Sequence, residues 1–422
     1  GDFSAVNDFR KIALLRDPTK SNSAVTGNTA RLSKAIKIAT SPTPGTFTVD
    51  EEINQATTGA VGRVVEWDAT NKILYYLQTR HKDAGVEEKA NRIAIVGATG
   101  MVGKAFLSIL EEKFFVNAEI DLLASKKSEG KKVTFRGSEY IIADLAEYDF
   151  SNTDLALFSA GASVSAKFAP IAVSQGCVVV DNSSCFRYEA DIPLIVPEVN
   201  GHNLNDYDLP GIIANPNCST IQMLVALKPI HDEFKIERID ITTLQAVSGT
   251  GKEATEELQD QLSSYEGNKK IESNIYPKQI ANNALPQCDV FEENRYTKEE
   301  NKLLRETHKI LDPNIHVTAT CVRVPVLNGH SESIHIKTAK PILEDTAIKV
   351  MQEAPGLKVH YGSGSEDYPT AATDADGDDL VHVGRIRKDL WSDKRINLWV
   401  VADNLLKGAA LNSVQIAELI FD

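Results

Sequence analysis

The stretch RIAIVGATGMVGKAFLSILEEKF, beginning at Arg92, constrains the fold more than any other part of the chain. Its first residues form a continuous apolar run that reads as a buried strand. Gly97, Gly100 and Gly103 read as a tight turn, and the residues after them as a helix with Phe106, Leu107, Leu110 and Phe114 on one side. Glycines in that context let the backbone turn sharply and approach a pyrophosphate, which the free N–H groups and positive end of the helix attract. The spacing is GxxGxxG, not GxGxxG, so a tight turn without a ligand stays open as an alternative. Short apolar strands follow in AEIDLLAS, TDLALFSAG and CVVVDNSS, with SAKFAPIAVSQG as an intervening helix. Such alternation predicts an α/β fold with a mostly parallel sheet covered on both faces.

Later segments change character. RIDITTLQAVSG, HVTATCVRVPVL and SESIHIKTAK are longer strands suited to an antiparallel or mixed sheet, and SVQIAELIF is an amphipathic helix fit for the outside of the first sheet. The first ninety residues differ from both, with the turn-rich stretches SNSAVTGNTA and SPTPGT. Strand-like runs at 61–67 and 73–77, separated by turn residues, predict a β-hairpin there. The charged linker RHKDAGVEEKANR leads to a sharp change of character at Ile93.

A chain of 422 residues suits two or three domains. The net charge of −14 repels a phosphate backbone and argues against nucleic acid as a partner. No apolar run reaches the ~18 residues of a membrane span, and the opening residues lack a signal-peptide core. The five cysteines, Cys177, Cys185, Cys218, Cys288 and Cys321, are scattered without a CxxC pair. They predict neither a disulfide framework nor a metal site, but a reducing, cytoplasmic compartment.

The second strand of the α/β part selects a cofactor. An acid near its end would hold the ribose of NAD. Here the strand runs into Ser125, Lys126, Lys127 and Ser128, and the nearby acid, Asp121, lies within it. Hydroxyls and ammonium groups favour the 2′-phosphate of NADP; the alternative for Lys126, Lys131 and Lys132 is a solvated loop.

IIANPNCSTIQMLVAL places Cys218 at the start of a helix whose apolar face carries Ile221, Leu224, Val225 and Leu227. A helix N-terminus stabilises a thiolate and lowers its pKa, and its N–H groups can cradle an oxyanion. Cys177 and Cys321 fall in strand-like runs and read as inert core, while Cys185 and Cys288 lack a comparable helix start. Nine histidines could supply a base; His330, after a strand and loop, can project into a cleft. Arg323 carries a fork that grips a carboxylate bidentately. Spacing alone leaves open whether these three residues meet.

Together the strings IAIVGATGMVG, LASKKSEGK, LFSAGASVSAKFAP, VVVDNSSCFR, ANPNCSTIQMLVALKPI, QAVSGTGKEA, ATCVRVPVLNGHSESI, VGRIRKDL and WVVADNLLKGAALNSVQIAE resemble the aspartate-β-semialdehyde dehydrogenase family, in order, from about Asn91 onward. The resemblance implies an NADP-dependent enzyme that converts 4-phospho-L-aspartate to L-aspartate 4-semialdehyde in lysine, threonine and methionine synthesis. It implies Cys218 as nucleophile, His330 as acid/base and Gln245 as the amide that orients substrate. Arg323, Glu299, Lys302, Arg187 and Asn217 would bind substrate. Gly97, Thr99, Gly100, Met101, Val102, Ser125, Lys127, Ser248, Gly249 and Asn404 would bind cofactor. Lys127 replaces the family's usual arginine, a point charge in place of a fork. The implied architecture is a Rossmann-type NADP-binding domain at 91–217 and 397–422, an α+β catalytic and dimerisation domain with a mixed sheet at 218–396, and a β-rich accessory module at 1–90. A homodimer or homotetramer is also implied. The opening segment faintly resembles a contractile-phage baseplate wedge protein, which suggests a fusion. The rival readings are an enzyme similar to N-acetyl-γ-glutamyl-phosphate reductase, whose cysteine context differs from PNCSTIQ, and an inactive structural protein that kept a dehydrogenase body.

Overall fold

A computed structural model describes residues 90–421 except 268 and 363–366, and before residue 90 the backbone of its strands alone. Two compact units result, one made of Gly1–Lys89 with the last two residues and one of Ala90–Ile420.

In the first unit, strands Asp2–Phe3, Glu52–Gln55, Val61–Asp68, Ile73–Arg80 and Lys34–Lys37 form a five-stranded sheet in that order. The expected hairpin is its centre: Val61–Asp68 and Ile73–Arg80 pair antiparallel, with Asp68 opposite Ile73.

The second unit begins with the parallel sheet. Its strands are β1 (Arg92–Val96), β2 (Glu119–Ala124), β3 (Ala143–Asp144), β4 (Leu155–Phe158), β5 (Val178–Asp181) and β6 (Ile212–Ala214), with helix α1 (Met101–Glu112) after β1 and α2 (Ala162–Ser174) after β4. They are ordered β3-β2-β1-β4-β5-β6, all parallel. This doubly wound order opens a crevice between β1 and β4, where the winding reverses. Phe106, Leu107 and Leu110 are buried as the helical spacing predicts, but Phe114 lies beyond the end of α1.

Helix α3 (Cys218–Phe234) leads into the second sheet. Its strands are β7 (Ile236–Gln245), β8 (His316–Arg323), β9 (His330–Thr338), β10 (Leu357–Val359), β11 (Val381–Lys388) and β12 (Arg395–Ala402). Helices α4 (Lys252–Glu266) and α5 (Lys298–Ile310) lie between β7 and β8, α6 (Glu344–Gln352) precedes β10, and α7 (Leu411–Phe421) ends the chain. The sheet order is β8-β7-β9-β12-β11-β10, parallel at its two outer pairs and antiparallel within. The boundary expected at 397 falls inside β12, which pairs wholly within this sheet. Past it, α7 docks on the first sheet's loops, where Asn412 donates to the Ile195 carbonyl at 3.1 Å and to Asn215 at 2.7 Å.

One apolar core ties the two sheets together. Ile221, Leu224 and Val225 of α3 pack with Leu194 and Ala214 near the first sheet and with Ile239, Ile334 and Val400 of the second. The single apolar face read from sequence is therefore too narrow: the helix is covered nearly all round for its first three turns. A helix wedged between two layers has no water-facing side to keep polar.

Candidate active site

Sheet register gathers the predicted catalytic residues. In β7 and β8 Gln245 stands opposite Arg323, β9 returns with Ser331 opposite Leu244, and His330 stands opposite Ala402 of β12. Gln245, Arg323, His330 and, just past β12, Asn404 thus emerge at one end of the second sheet. Helix α3 starts at that end, for Gln222, one turn after Cys218, donates to the His330 carbonyl at 3.3 Å.

Helix α5 supplies the hub. A capping box at Thr297 and Glu300 fixes its start, and Glu299, Lys302 and Glu306 follow on one face at helical spacing. Glu299 Oε1 accepts from Asn217 at 2.9 Å and from Gln245 at 3.0 Å, while its Oε2 meets Lys302 at 3.0 Å. Burial pushes Glu299 up, but the Lys302 ion pair and those two amides outweigh it and hold the carboxyl down at about 2. Gln245 also reaches Ser219 at 2.9 Å. Glu306 binds the Asn217 backbone N–H at 2.8 Å and the Arg187 guanidinium at 3.1 Å.

Two guanidiniums keep spare donors. Arg187 and Arg323 are both 6% exposed, and each has an Nε without a protein partner. Arg187 is already paired with Glu306, whereas Arg323 spends one N–H on the Ala246 carbonyl at 2.6 Å. Buried donors without acceptors are costly unless a ligand supplies them.

His330 is fully buried. The Ala246 N–H donates to its Nδ1 at 3.0 Å, which puts the proton of the neutral ring on Nε2. Burial, reinforced by Arg323, pushes its pKa down to about 3. Nε2 has no partner, and a Cβ placed at Gly249 would lie 3.0 Å from it and 3.1 Å from Arg323 Nη1, so ring and guanidinium border the same turn.

Cys218 sits where the sequence placed it, as the first residue of α3. The expected thiolate is corrected. Although the residue is partly exposed, packing around the sulfur pushes the thiol up to about 12, with Glu299 acting in the same direction. Arg323, Arg187 and Lys302 pull it down. A helix start lowers a thiol's pKa only to the extent that desolvation does not exceed it. Cys177 and Cys321, expected as inert core, are fully buried, and burial raises the pKa of each.

The glycine turn builds a separate cleft of about 510 Å³, lined by Gly97, Thr99, Gly100, Ser125, Lys126 and Phe168 among others. Gly97 adopts φ +92°, and a Cβ there would meet the Ser159 carbonyl carbon at 2.9 Å. A Cβ at Gly103 would come within 2.3 Å of the Gly97 carbonyl oxygen. Gly100 caps α1 without a side-chain hydrogen bond, so the first-turn N–H groups remain for a ligand. The cleft thus fits a dinucleotide. Met101 and Val102 open α1 beside it. Asp121 cannot serve a ribose, because Arg92 and Tyr148 hold its carboxylate at 2.6 Å each.

The lysine run divides. Lys126 lines the cleft and pairs with Glu129 at 2.8 Å, with Glu147 at 3.7 Å and Asp144 at 3.8 Å. Lys127 is exposed and is not among the lining residues. Lys131 points to Ser128, and Lys132 pairs with Glu139. Ser248, Gly249 and Asn404 stand by His330 instead of the glycine turn: Asn404 Oδ1 accepts from the Gly329 N–H at 2.9 Å and Ser248 at 3.1 Å. The turn Leu406–Ala410 packs against both α1 and α3, and a Cβ at its Gly408 would lie 2.8 Å from Cys218 Cβ. Cleft and catalytic cluster therefore share a wall.

Some residues of the site escaped the sequence reading. Glu306 had a visible signal, falling on the α5 face of Glu299 and Lys302. Lys407, buried against both oxygens of Glu198 at 2.7 and 2.8 Å, had none. Nor did Glu332, a fully buried acid below His330 whose pKa burial raises.

Comparison with known proteins agrees with this geometry. Residues 92–207 match the family described as semialdehyde dehydrogenase, NAD binding domain, and residues 227–407 match its dimerisation domain. An aspartate-semialdehyde dehydrogenase of Legionella pneumophila is 54% identical over 329 residues, covering 78% of this chain and 95% of that protein. The chain belongs to the aspartate-semialdehyde dehydrogenase family. Its class is that of the phosphorylating aldehyde dehydrogenases, oxidoreductases of amino-acid biosynthesis. A crystal structure of aspartate semialdehyde dehydrogenase II of Vibrio cholerae complexed with ASA is similar at TM-score 0.76 and 50% identity, over 79% of this chain and 98% of that one. A Candida albicans enzyme with NADP matches at TM-score 0.61 and 27% identity, over 79% and 98%. The family matches begin at residue 92, after the N-terminal unit. Among the described residues, no helix is long and apolar enough to cross a membrane.

Proposed function

We propose that this chain reduces 4-phospho-L-aspartate to L-aspartate 4-semialdehyde with NADPH, through a thioester on Cys218. One observation carries the reading: a helix-start cysteine lies in the field of Arg323, Arg187 and Lys302, at the sheet end where His330, a buried neutral imidazole, keeps a free donor.

The substrate carries an anionic group at each end, and the two guanidiniums with unfilled Nε positions suit them. Arg323, which has no salt-bridge partner among the described residues, takes the α-carboxylate. Arg187 and Asn217, steadied by Glu306, take the phosphate. Glu299 and Lys302 hold Gln245 and Asn217 in place, and Gln245 orients the acyl group.

Cys218 gives up its thiol proton and attacks the acyl carbon, the bond to the phosphate oxygen breaks, and phosphate leaves with that electron pair and the proton. The oxyanion formed on attack sits against His330 Nε2–H and the first-turn N–H groups of α3. Bound nicotinamide supplies the hydride that the thioester carbon accepts. The resulting alkoxide, held again by His330, re-forms its carbonyl and expels the Cys218 thiolate. The proton given up by the Cys218 thiol leaves with the phosphate as hydrogen phosphate, and the expelled thiolate takes one back, so each turnover consumes one proton; His330 donates a hydrogen bond to the oxygen in place of the acid/base role expected for it.

Gly97, Thr99, Gly100, Met101 and Val102 would hold the pyrophosphate, and Ser248, Gly249 and Asn404 the nicotinamide side. NADP is preferred because Ser125 and Lys126 face the cleft while Asp121 is engaged elsewhere. The carboxylates around Lys126 weaken that preference. The protein works as a homodimer or homotetramer through its dimerisation domain in a reducing, cytoplasmic compartment. Replacing Cys218 with Ala abolishes phosphate-dependent NADPH formation from aspartate semialdehyde while NADPH binding stays near normal. Retained turnover in the purified variant would refute the nucleophile.

A further inference from the structure

Away from the catalytic cluster, the outer edge of the second sheet brings together side chains that no reading of the reaction uses. Strands β10 and β11 run parallel with Val359 opposite Val383, and His360, just past β10, donates its backbone N–H to the Val383 carbonyl at 2.7 Å. This pairing sets the His360 ring against that of His382, with centroids 5.2 Å apart. His360 Nε2 faces His382 Nδ1 at 3.0 Å.

The opposite nitrogen of each ring faces a carboxylate. His382 is fully buried, and its Nε2, which has no hydrogen-bond partner, lies 3.2 Å from Asp378 Oδ2. His360 Nδ1 lies 3.8 Å from Asp367 Oδ1. The 3.0 Å separation is that of a hydrogen bond, so without an ion one proton is shared between the two rings. A divalent cation would take the place of that proton, with the carboxylates behind the rings favouring the ring protons on their own side.

A third donor faces the same space. Asp374, in the turn Ala371–Ala375, offers a carboxylate oxygen within 4.8 Å of one nitrogen of each imidazole. Its Oδ2 accepts from the Thr370 N–H at 2.8 Å and the Thr373 hydroxyl at 2.7 Å, so Oδ1 remains for a cation. Ligands of a tetrahedral ion with bonds of about 2.0–2.1 Å stand roughly 3.3 Å apart, which a small rotation of the Asp374 side chain would meet. We propose that His360 Nε2, His382 Nδ1 and Asp374 form a binding site for a divalent transition-metal ion of the zinc class. Two imidazoles and a carboxylate suit zinc or cobalt and not magnesium or calcium, which prefer all-oxygen shells.

The ion is structural. The Asp374 turn also supports the loop before His330: a Cβ at Gly329 would sit 3.0 Å from Ala371 Cβ, and Asn328 donates to Asp376 at 2.7 Å. Metal at this site clamps that turn to β10 and β11. No familiar ligand spacing marks it in the sequence.

The test uses the full chain, stripped with chelator and titrated with Zn2+ by equilibrium dialysis and with Co2+ by visible absorption. The wild-type protein is expected to bind about one ion per chain, with the intense bands of four- or five-coordinate cobalt, and to melt at higher temperature with zinc. His360→Gln and Asp374→Asn weaken binding by about 100-fold or more, and Asp378→Asn by about 10- to 100-fold through loss of its backing role. Both ligand positions are partly exposed, and circular dichroism verifies that the variants fold. Cys218→Ser, included because a thiol can also take zinc, leaves the affinity unchanged. Wild-type affinity no tighter than that of His360→Gln overturns the proposal and leaves a shared proton between the rings. Binding that disappears in Cys218→Ser overturns it in favour of the thiol.

Discussion

The dinucleotide cleft and the catalytic cluster share a wall but are built by opposite means. The cleft is made largely of backbone and small residues at the ends of the parallel strands β1, β2, β3 and β4, and it is open to solvent. The cluster is made of side chains from widely separated segments, nearly all buried, whose charges are satisfied mainly by one another. Arg187 is paired across 119 residues with Glu306, and Gln245 across 54 with Glu299. An open cleft tolerates loss of one contact as a loss of affinity. A buried charge network passes the loss on to stability, because the partner left behind is unpaired and dry.

The sharpest break in that comparison is Glu306→Ala. It strands the Arg187 guanidinium and the Asn217 N–H in the interior, and should cost about 3–5 kcal/mol of stability by chemical denaturation. Next comes His330→Asn, expected to lower kcat by about 10²–10³ while NADPH affinity holds. The same variant tests pH dependence. Folded His330 stays neutral to about pH 3 because burial and Arg323 disfavour the cation, whereas an unfolded histidine takes up its proton near 6.5. Its share of stability is therefore complete above about pH 6.5 and lost as pH falls, by up to about 1.4 kcal/mol per unit. Stability curves of wild type and His330→Asn should converge toward acid pH.

On the cleft side the effects are smaller. Gly103→Ala drives a methyl against the Gly97 carbonyl, and should cost about 1–3 kcal/mol and weaken NADPH binding measured by fluorescence titration. Lys126→Ala is the mildest, reducing the preference for NADP over NAD by about tenfold, since one partly neutralised surface cation contributes on the order of 1 kcal/mol. Equal efficiency of the wild type with both cofactors would defeat the NADP assignment.

The same contrast explains what could be read in advance. The turn at Gly97, Gly100 and Gly103 is local, so periodicity and glycine spacing announced both strand and helix. The position of Cys218 at a helix start was equally local. The direction of its pKa was not, because desolvation by surrounding segments is a tertiary effect that no string of neighbours reports. Gln245, Glu299 and Lys302 entered through family resemblance, and nothing in their own surroundings marked them. Arg323 and His330 were candidates by residue type, and only the register of β7, β8, β9 and β12 brings them to one sheet end. The family resemblance pointed to Lys127 for the cofactor, whereas the cleft is lined by Lys126.

The central claim is that Cys218 takes the acyl group before any hydride moves. Phosphate release from 4-phospho-L-aspartate, followed in the absence of NADPH, tests it most directly. A burst of about one phosphate per active chain is expected, with the acyl group found by mass spectrometry on the peptide containing Cys218 and no burst in Cys218→Ser. Phosphate release that waits for NADPH, or an acyl group on another residue, would contradict it.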